Sequence, residues 1–261
     1  MKLRYSLILA LLAAACAEGQ APAPTADGAA NDAAQVSAAP SATGARPAAV
    51  SGEESAAGRI EVAQAAGADS LAASGYQNGV HYQRLSPTQP TSSGPDKVEV
   101  AEFFMYSCVH CYNFEPYVEQ WLTTKPEYVE FVRVPTVWNP LVRLHGQAFY
   151  AAEALGKLGE MHTPFFREMH VSGNFLENEA AIAEFFSRFG VEREAFTSAF
   201  NSFAVHTKVR RADELTRRYR VTGTPSVVVN GKYLTSASQA GGFEQLIDLI
   251  ETLAASERAQ N

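Results

Sequence analysis

Residues Lys97 to Leu122 read KVEVAEFFMYSCVHCYNFEPYVEQWL, and this stretch decides the fold. Lys97 to Phe104 has the β-branched and aromatic content of a strand that becomes buried on both faces toward its end. A helix is expected to follow, from the cysteine region through Trp121 and Leu122. Cys108-Val109-His110-Cys111 therefore sits where a buried strand ends and a helix begins. Free amide N–H groups and the helix dipole favour an anion at such a place, so thiolate is favoured at Cys108. His110, between the cysteines, can add a further donor or positive charge.

Around this core the chain alternates types. Val80, Tyr82 and Leu85 suggest an edge strand, and Tyr128 to Val134 a further strand closed by Pro135. Leu141 to Lys157 repeats apolar residues at helical spacing, with Leu141, Leu144, Ala148 and Ala152 on one face. Thr163-Pro164 can start a second helix, because proline suits the first turn. Asn178 to Phe189 makes a third, stopped by Gly190, and Arg193 to Tyr219 one or two more. Strand chemistry then returns at Ser226 to Val229, followed by an Asn230-Gly231 turn, Lys232 to Leu234, and a last helix over Phe243 to Leu253. The order implies one α/β sheet domain interrupted by a helical block.

The amino terminus is built differently. Lys2 and Arg4 precede an apolar run, Leu7 to Ala15, which is too short for a span of about 20 residues and reads as an export signal. Leu12 to Cys16 (LAAAC) resembles a bacterial lipobox, with Cys16 the lipid-bearing residue; ordinary A-x-A cleavage is the alternative. No Phe, Trp or Tyr occurs between Tyr5 and Tyr76. Residues 17–75 are rich in Ala, Gly, Ser and Pro, cannot bury enough apolar area to offset chain entropy, and are expected to be a disordered tether or tail.

Composition narrows the chemistry. With 21 Lys+Arg against 28 Asp+Glu and a formal charge of −7, the 261-residue chain lacks the basic footprint of a nucleic-acid binder. Three competing explanations of the cysteine pair can be weighed. A structural disulfide three residues apart closes almost no loop. A metal site would need ligands beyond the pair, and His110, His145, His162 and His170 fall at no fixed zinc-ligand spacing. Coincidence is disfavoured in an exported chain whose only mature thiols form this pair. Thiol–disulfide chemistry is the reading that remains.

The segment Glu102 to Glu115 resembles the active-site segment of the DsbA family of periplasmic thiol:disulfide interchange proteins. Gly223-Thr224-Pro225-Ser226 and Val227 to Tyr233 resemble that family's cis-proline loop and the hairpin after it. The resemblance covers about Tyr76 to Ala255. It implies a thioredoxin-like fold over 76–137 and 218–257 with a helical insertion over 138–217, preceded by a signal over 1–16 and the linker over 17–75. It also implies that Cys108 is the exposed nucleophile and Cys111 the buried partner that resolves the mixed disulfide. Thr224 and Pro225 would pair with substrate, and Glu102 would be the buried acid that moves the Cys111 proton. Val98, Val100 and Glu102 share one strand face by alternation, which independently sets a carboxylate among apolar residues. The resemblance requires no bound cofactor or metal. It implies reduced, folding exported proteins as substrates and a DsbB-like membrane oxidase as the reoxidising partner.

Two positions depart from the family, whose members usually carry proline at Val109 and valine at Thr224. Threonine before the cis-proline is similar to the isomerase and reductase branch, so a periplasmic isomerase or reductase is the first alternative. A metal-binding or chaperone-like module using the two thiols is the second. Lys208 to Arg220 reads as a solvated helix face interrupted by Asp213 and Glu214, and Phe165-Phe166 and Phe185-Phe186 as packing.

Overall fold

Strand β2 (Val98–Phe104) is covered on both sides: all seven of its residues are buried, the five apolar ones and also Glu99 and Glu102. In this computed structural model, which describes residue 71 and residues 73–260, β2 lies inside a five-stranded mixed sheet. The other strands are β1 (Gln83–Arg84), β3 (Val129–Pro135), β4 (Ser226–Val229) and β5 (Tyr233–Ser236). Their order is β1-β5-β4-β2-β3, with β3 parallel to β2 and the remaining neighbours antiparallel. The expected signal over 1–16, the lipobox cysteine Cys16 and the linker up to residue 70 lie outside the described residues.

Helix α1 (Val109–Leu122) follows β2 directly. Five helices then separate β3 from β4: α2 (Pro140–Ala154), α3 (Leu158–His170), α4 (Glu179–Ser187), α5 (Arg193–Phe200) and α6 (Phe203–Arg218). The short α7 (Ala237–Ala240) and the long α8 (Phe243–Arg258) close the chain. This is the thioredoxin-like arrangement with a helical insertion. Alternation along β2 divides the core: Val98 and Val100 join Phe114, Trp121, Leu246 and Leu249 on one side, whereas Ala101 and Phe103 join the helical block on the other. Phe165, Phe166, Phe185 and Phe186 are all buried in the latter cluster. On α6, Lys208, Arg217 and Arg218 pair with Glu153, Asp213 and Glu214 at the surface.

Three helices start where a side-chain oxygen satisfies a free N–H. Asn139 Oδ1 accepts from Val142, Asn178 Oδ1 from Ala181 and Ser202 Oγ from Val205. Ser202 divides the Arg193–Tyr219 segment into two helices. Several expectations need correction. Thr163-Pro164 does not begin a helix; Pro164 lies inside α3, where burial of Met161, His162, Phe165, Phe166 and Met169 offsets the hydrogen bond that proline cannot make. The inward face of α2 is carried by Val142, His145, Phe149 and Ala152, and Leu141 and Leu144 are only half-buried, because the helix packs on both α6 and the sheet. The second strand of the hairpin begins one residue later than Lys232 and runs to Ser236. The tether cannot extend to residue 75 as expected, since Leu71 is buried among the α8 cluster and its carbonyl accepts from Ser74 Oγ at 2.7 Å.

The hairpin after β4 turns at Asn230 (φ 49°) and Gly231 (φ 65°), the two positive angles of a type I′ turn. Glu257, fully buried on α8, holds it from below by accepting from Asn230 Nδ2 (2.6 Å), Lys232 Nζ (2.5 Å) and Tyr233 OH (3.0 Å). A Cβ at Gly231 would stand 2.0 Å from the Gln89 carbonyl oxygen, a backbone atom that cannot swing aside. Gly156 has nearly the same φ (68°) but nothing within 4 Å of its would-be Cβ. Gly156→Ala is therefore expected to cost about 1 kcal/mol, the left-handed strain alone. Gly231→Ala is expected to cost at least about 2 kcal/mol more by displacing backbone. Urea denaturation of the two variants checks the difference; equal midpoints would contradict the steric account.

Candidate active site

Cys108 is the N-cap of α1. Its Sγ accepts from the Cys111 backbone N–H at 3.4 Å, where α2, α4 and α6 use oxygen. Across the cleft the Thr224 carbonyl lies 3.4 Å from the same sulfur, and the Thr224–Pro225 bond is cis. Both cysteines are free thiols; Cys108 is partly exposed and Cys111 is fully buried. The sulfurs consequently differ. The Cys111 thiol donates toward Cys108, burial acts in the opposite sense, and Thr224 with the backbone N–H groups of Cys111 and His110 adds to the stabilisation, so Cys108 is lowered to about 5. Burial and the neighbouring Cys108 thiolate push Cys111 far above the ordinary thiol range. One sulfur is held as thiolate and the other as thiol.

His110 sits at the mouth of the site with its side chain exposed, and its backbone N–H, rather than its imidazole, bears on Cys108. The Thr224 hydroxyl is buried beside the sulfur and forms no hydrogen bond in the dithiol state. Glu102 is 1% exposed, and its carboxyl is raised to about 8: burial dominates, Arg133 counters it, and Glu115 and Cys108 reinforce it.

Arg133, Glu115, Tyr106 and His162 were not singled out for this site by sequence reasoning. Arg133 Nε stands 3.5 Å from Glu102 Oε2, and its Nη2 donates to Glu115. Glu115 Oε2 stands 3.3 Å from His162 Nε2, whose ring partner Nδ1 lies 2.8 Å from the Tyr106 hydroxyl. Burial raises the Glu115 carboxyl, but His162 and Arg133 together lower it more, so it is ionised. A signal for Arg133 was available: it is the fifth residue of β3, in parallel register with Glu102, the fifth of β2. The other histidines are engaged elsewhere. His145 Nε2 meets the carbonyls of Phe175 and Leu176, and His170 Nε2 bonds the Tyr106 carbonyl at 2.8 Å while stacking on Tyr112. Among the described residues no group of three or more His, Cys, Asp or Glu is arranged to hold a metal ion.

Comparison with known proteins shows the family. Residues 141–248 match the family described as DSBA-like thioredoxin domain. The thiol:disulfide interchange protein DsbA of Pseudomonas aeruginosa is 39% identical over 184 residues, covering 70% of this chain and 87% of that protein. The chain belongs to the DsbA family. DsbA of Azotobacter vinelandii is 38% identical over 74% of this chain and 89% of its own length. The crystal structure of the Pseudomonas aeruginosa DsbA superposes with a TM-score of 0.69 at 38% identity, covering 72% of this chain and 97% of that one. The oxidoreductase DsbA from Xylella fastidiosa gives 0.66 at 28% identity, over 70% and 98%. As a DsbA-family member the protein is a thiol:disulfide oxidoreductase.

Replacing Thr224 by valine keeps the shape and removes the hydroxyl beside Cys108. The thiolate then loses one stabilising dipole, so the expected Cys108 midpoint in Thr224→Val rises by about one unit from its value near 5. Because the reduced form is stabilised less, the disulfide becomes a weaker oxidant by about 30 mV. Thiolate absorbance against pH and the glutathione equilibrium measure both. Agreement of the two proteins within error would show that Thr224 does not tune the sulfur.

Proposed function

We propose that this chain is an exported thiol oxidase that donates a Cys108–Cys111 disulfide to reduced, incompletely folded proteins. The observation that carries the reading is the asymmetry of the two sulfurs: Cys108 partly exposed and held as thiolate, Cys111 buried and held as thiol. A substrate thiolate attacks Cys108 Sγ, the Cys108–Cys111 bond breaks, and Cys111 leaves with the electron pair and takes a proton. A second substrate thiolate then attacks the substrate sulfur of the mixed disulfide. The substrate disulfide forms and Cys108 departs as a thiolate that the helix start already stabilises. The substrate loses two electrons and the enzyme gains them.

Glu102, with a carboxyl raised to about 8, holds a proton at neutral pH and serves as the group that gives it to Cys111 and recovers it on reoxidation. His110 contributes its backbone N–H to the thiolate. Thr224 offers backbone groups beside Pro225 for an extended substrate segment, in the manner of strand addition. Reoxidation calls for a DsbB-like membrane oxidase, and no bound cofactor is needed. The division into a thioredoxin-like part over 76–137 and 218–257 and an insertion over 138–217 belongs to the same reading. So does a periplasmic location reached through the signal over 1–16, with or without a lipid at Cys16. Among the described residues no helix is long and apolar enough to cross a membrane. Threonine at 224 keeps an isomerase or reductase role as the second reading, distinguished by whether the cell maintains the pair reduced.

Cys108→Ser is expected to abolish turnover, whereas Cys111→Ser should accumulate substrates as mixed disulfides, because attack survives and intramolecular resolution does not. Non-reducing electrophoresis reads both outcomes after each variant is given an unfolded substrate that still carries disulfides, whose S–S bond the surviving thiolate attacks with release of the second substrate sulfur as thiolate; adducts on the Cys108→Ser protein would reverse the roles. Cys16→Ala should release the protein from membranes with its exchange rate in solution unchanged. Unaltered fractionation, together with no acyl mass on the native protein, would remove the lipid from the reading.

A further inference from the structure

Beneath the dithiol a line of buried polar side chains runs out of the sheet, into the helical block and back to the loop before Cys108. Glu102 and Arg133 come from β2 and β3, Glu115 from α1, His162 from α3 and Tyr106 from the loop after β2. The middle contact, Arg133 to Glu115, is a formed hydrogen bond. The contacts on either side of it are not. Glu102 Oε2, Arg133 Nε, Glu115 Oε2 and His162 Nε2 are all buried without a formed hydrogen bond, although they face each other in pairs at 3.5 Å and 3.3 Å. A buried network left half-made is costly, and a native protein that keeps one has a use for the slack.

The tautomer of His162 follows from its neighbours. Tyr106 stays a phenol, since burial raises its hydroxyl well above the ordinary range, so it donates to Nδ1 at 2.8 Å. The ring is neutral, because burial lowers its proton affinity more than Glu115 raises it. Nε2 therefore carries the hydrogen and points it at Glu115. The ring cannot turn away, because Phe104, Phe149 and Phe166 pack against it with centroids 5.2, 6.0 and 5.2 Å distant.

We propose that His162 is a positioning residue for the exchange reaction: it takes up Glu115 when Arg133 turns toward Glu102, so that one guanidinium can serve two carboxylates in alternation. When Glu102 is protonated, Arg133 rests on Glu115, as seen here. When Glu102 has given its proton to Cys111, Arg133 moves onto the new carboxylate and the His162 Nε2–H closes on Glu115. Glu102 thereby releases its proton at a lower cost than a carboxyl facing an immobile guanidinium. The inference rests on the role given to Glu102 under the proposed function. The groups that face Glu102 are Arg133, Glu115, Cys108 and Cys111, and those that face His162 are Tyr106, Glu115, Arg133 and Glu119.

In His162→Phe, Glu115 has only Arg133. Its carboxyl starts below the ordinary range, so it is still ionised where Glu102 titrates, and it holds Arg133 more tightly. Glu102 then loses its mobile counter-ion, and its midpoint is expected to rise by half a pH unit or more, about threefold in proton affinity. The test uses the full chain with the Cys108–Cys111 disulfide formed, following glutamate side-chain carboxyl carbons by NMR against pH and assigning Glu102 by its loss in Glu102→Gln. His162→Gln, whose amide can donate to Glu115 and accept from Tyr106, should restore the wild-type midpoint. Tyr106→Phe frees Nδ1, lets the ring carry its hydrogen there instead, and should move Glu102 the same way as His162→Phe. That variant decides the matter if the phenylalanine protein does not fold. A Glu102 midpoint unchanged within error in these variants would overturn the proposal, as would a His162→Gln protein that is folded but no nearer wild type than His162→Phe. Failure of the thiol reading would instead show in the exchange activity of the cysteine variants, whereas this titration is followed with both cysteines in place.

Discussion

A sulfur stands where a helix needs an acceptor, and most of the site's chemistry descends from that constraint. The first turn of any helix leaves N–H groups without partners. In α2, α4 and α6 an asparagine or serine oxygen meets one of them. In α1 the only side chain at that position is Cys108, so the helix is best capped when the thiol has lost its proton. Local folding and redox poise are thereby the same interaction: stabilising the start of α1 favours the reduced protein, and the disulfide must give up part of that stabilisation. Cys111, one turn further on and facing inward, receives no such benefit and keeps its proton.

The sheet and the helix starts were legible because they depend on local signals. Asn230-Gly231 marks its own turn, Asn178 marks its helix, and the β-branched and aromatic residues around Glu99 and Glu102 mark β2 as a buried strand. Pro164 misled because a rule for first turns was applied to a residue that tertiary burial retains mid-helix. Leu71 was lost in an alanine-rich stretch that offers no aromatic neighbour to reveal its packing. The two cysteines and the buried carboxylate at Glu102 were readable from position and pattern, and the cis bond at Pro225 was implied by the family resemblance. Their supporting residues were not: Glu115 and His162 look like ordinary helical polar residues until the fold brings α1 and α3 together. Only Arg133 could have been deduced, by asking which residue of the next strand falls opposite a buried acid.

The charge beneath the site is balanced within the described structure. Arg133 is a single cation facing two carboxylates, and burial resolves the excess by leaving one of them protonated. Removing any member would strand another in a low-dielectric interior, which explains why the group spans both the sheet and the helical block. The cost of this arrangement is the set of unmade contacts it contains, and these lie under the dithiol rather than in the packed layers around α8.

The chain order of the sheet has a consequence for biogenesis. The Cys108 sulfur and the Thr224 carbonyl that faces it are 116 residues apart, and β4, which flanks β2 in the sheet, follows all five inserted helices. A chain emerging amino terminus first displays both cysteines long before β4 exists to align beside them. During that interval β2 and β3 can pair, but β4 and α8 are missing and the Cys108 sulfur lacks the Thr224 carbonyl that faces it, so the site is incomplete. Interrupting the fold with a helical block thus delays completion of the site until synthesis of the chain is nearly finished.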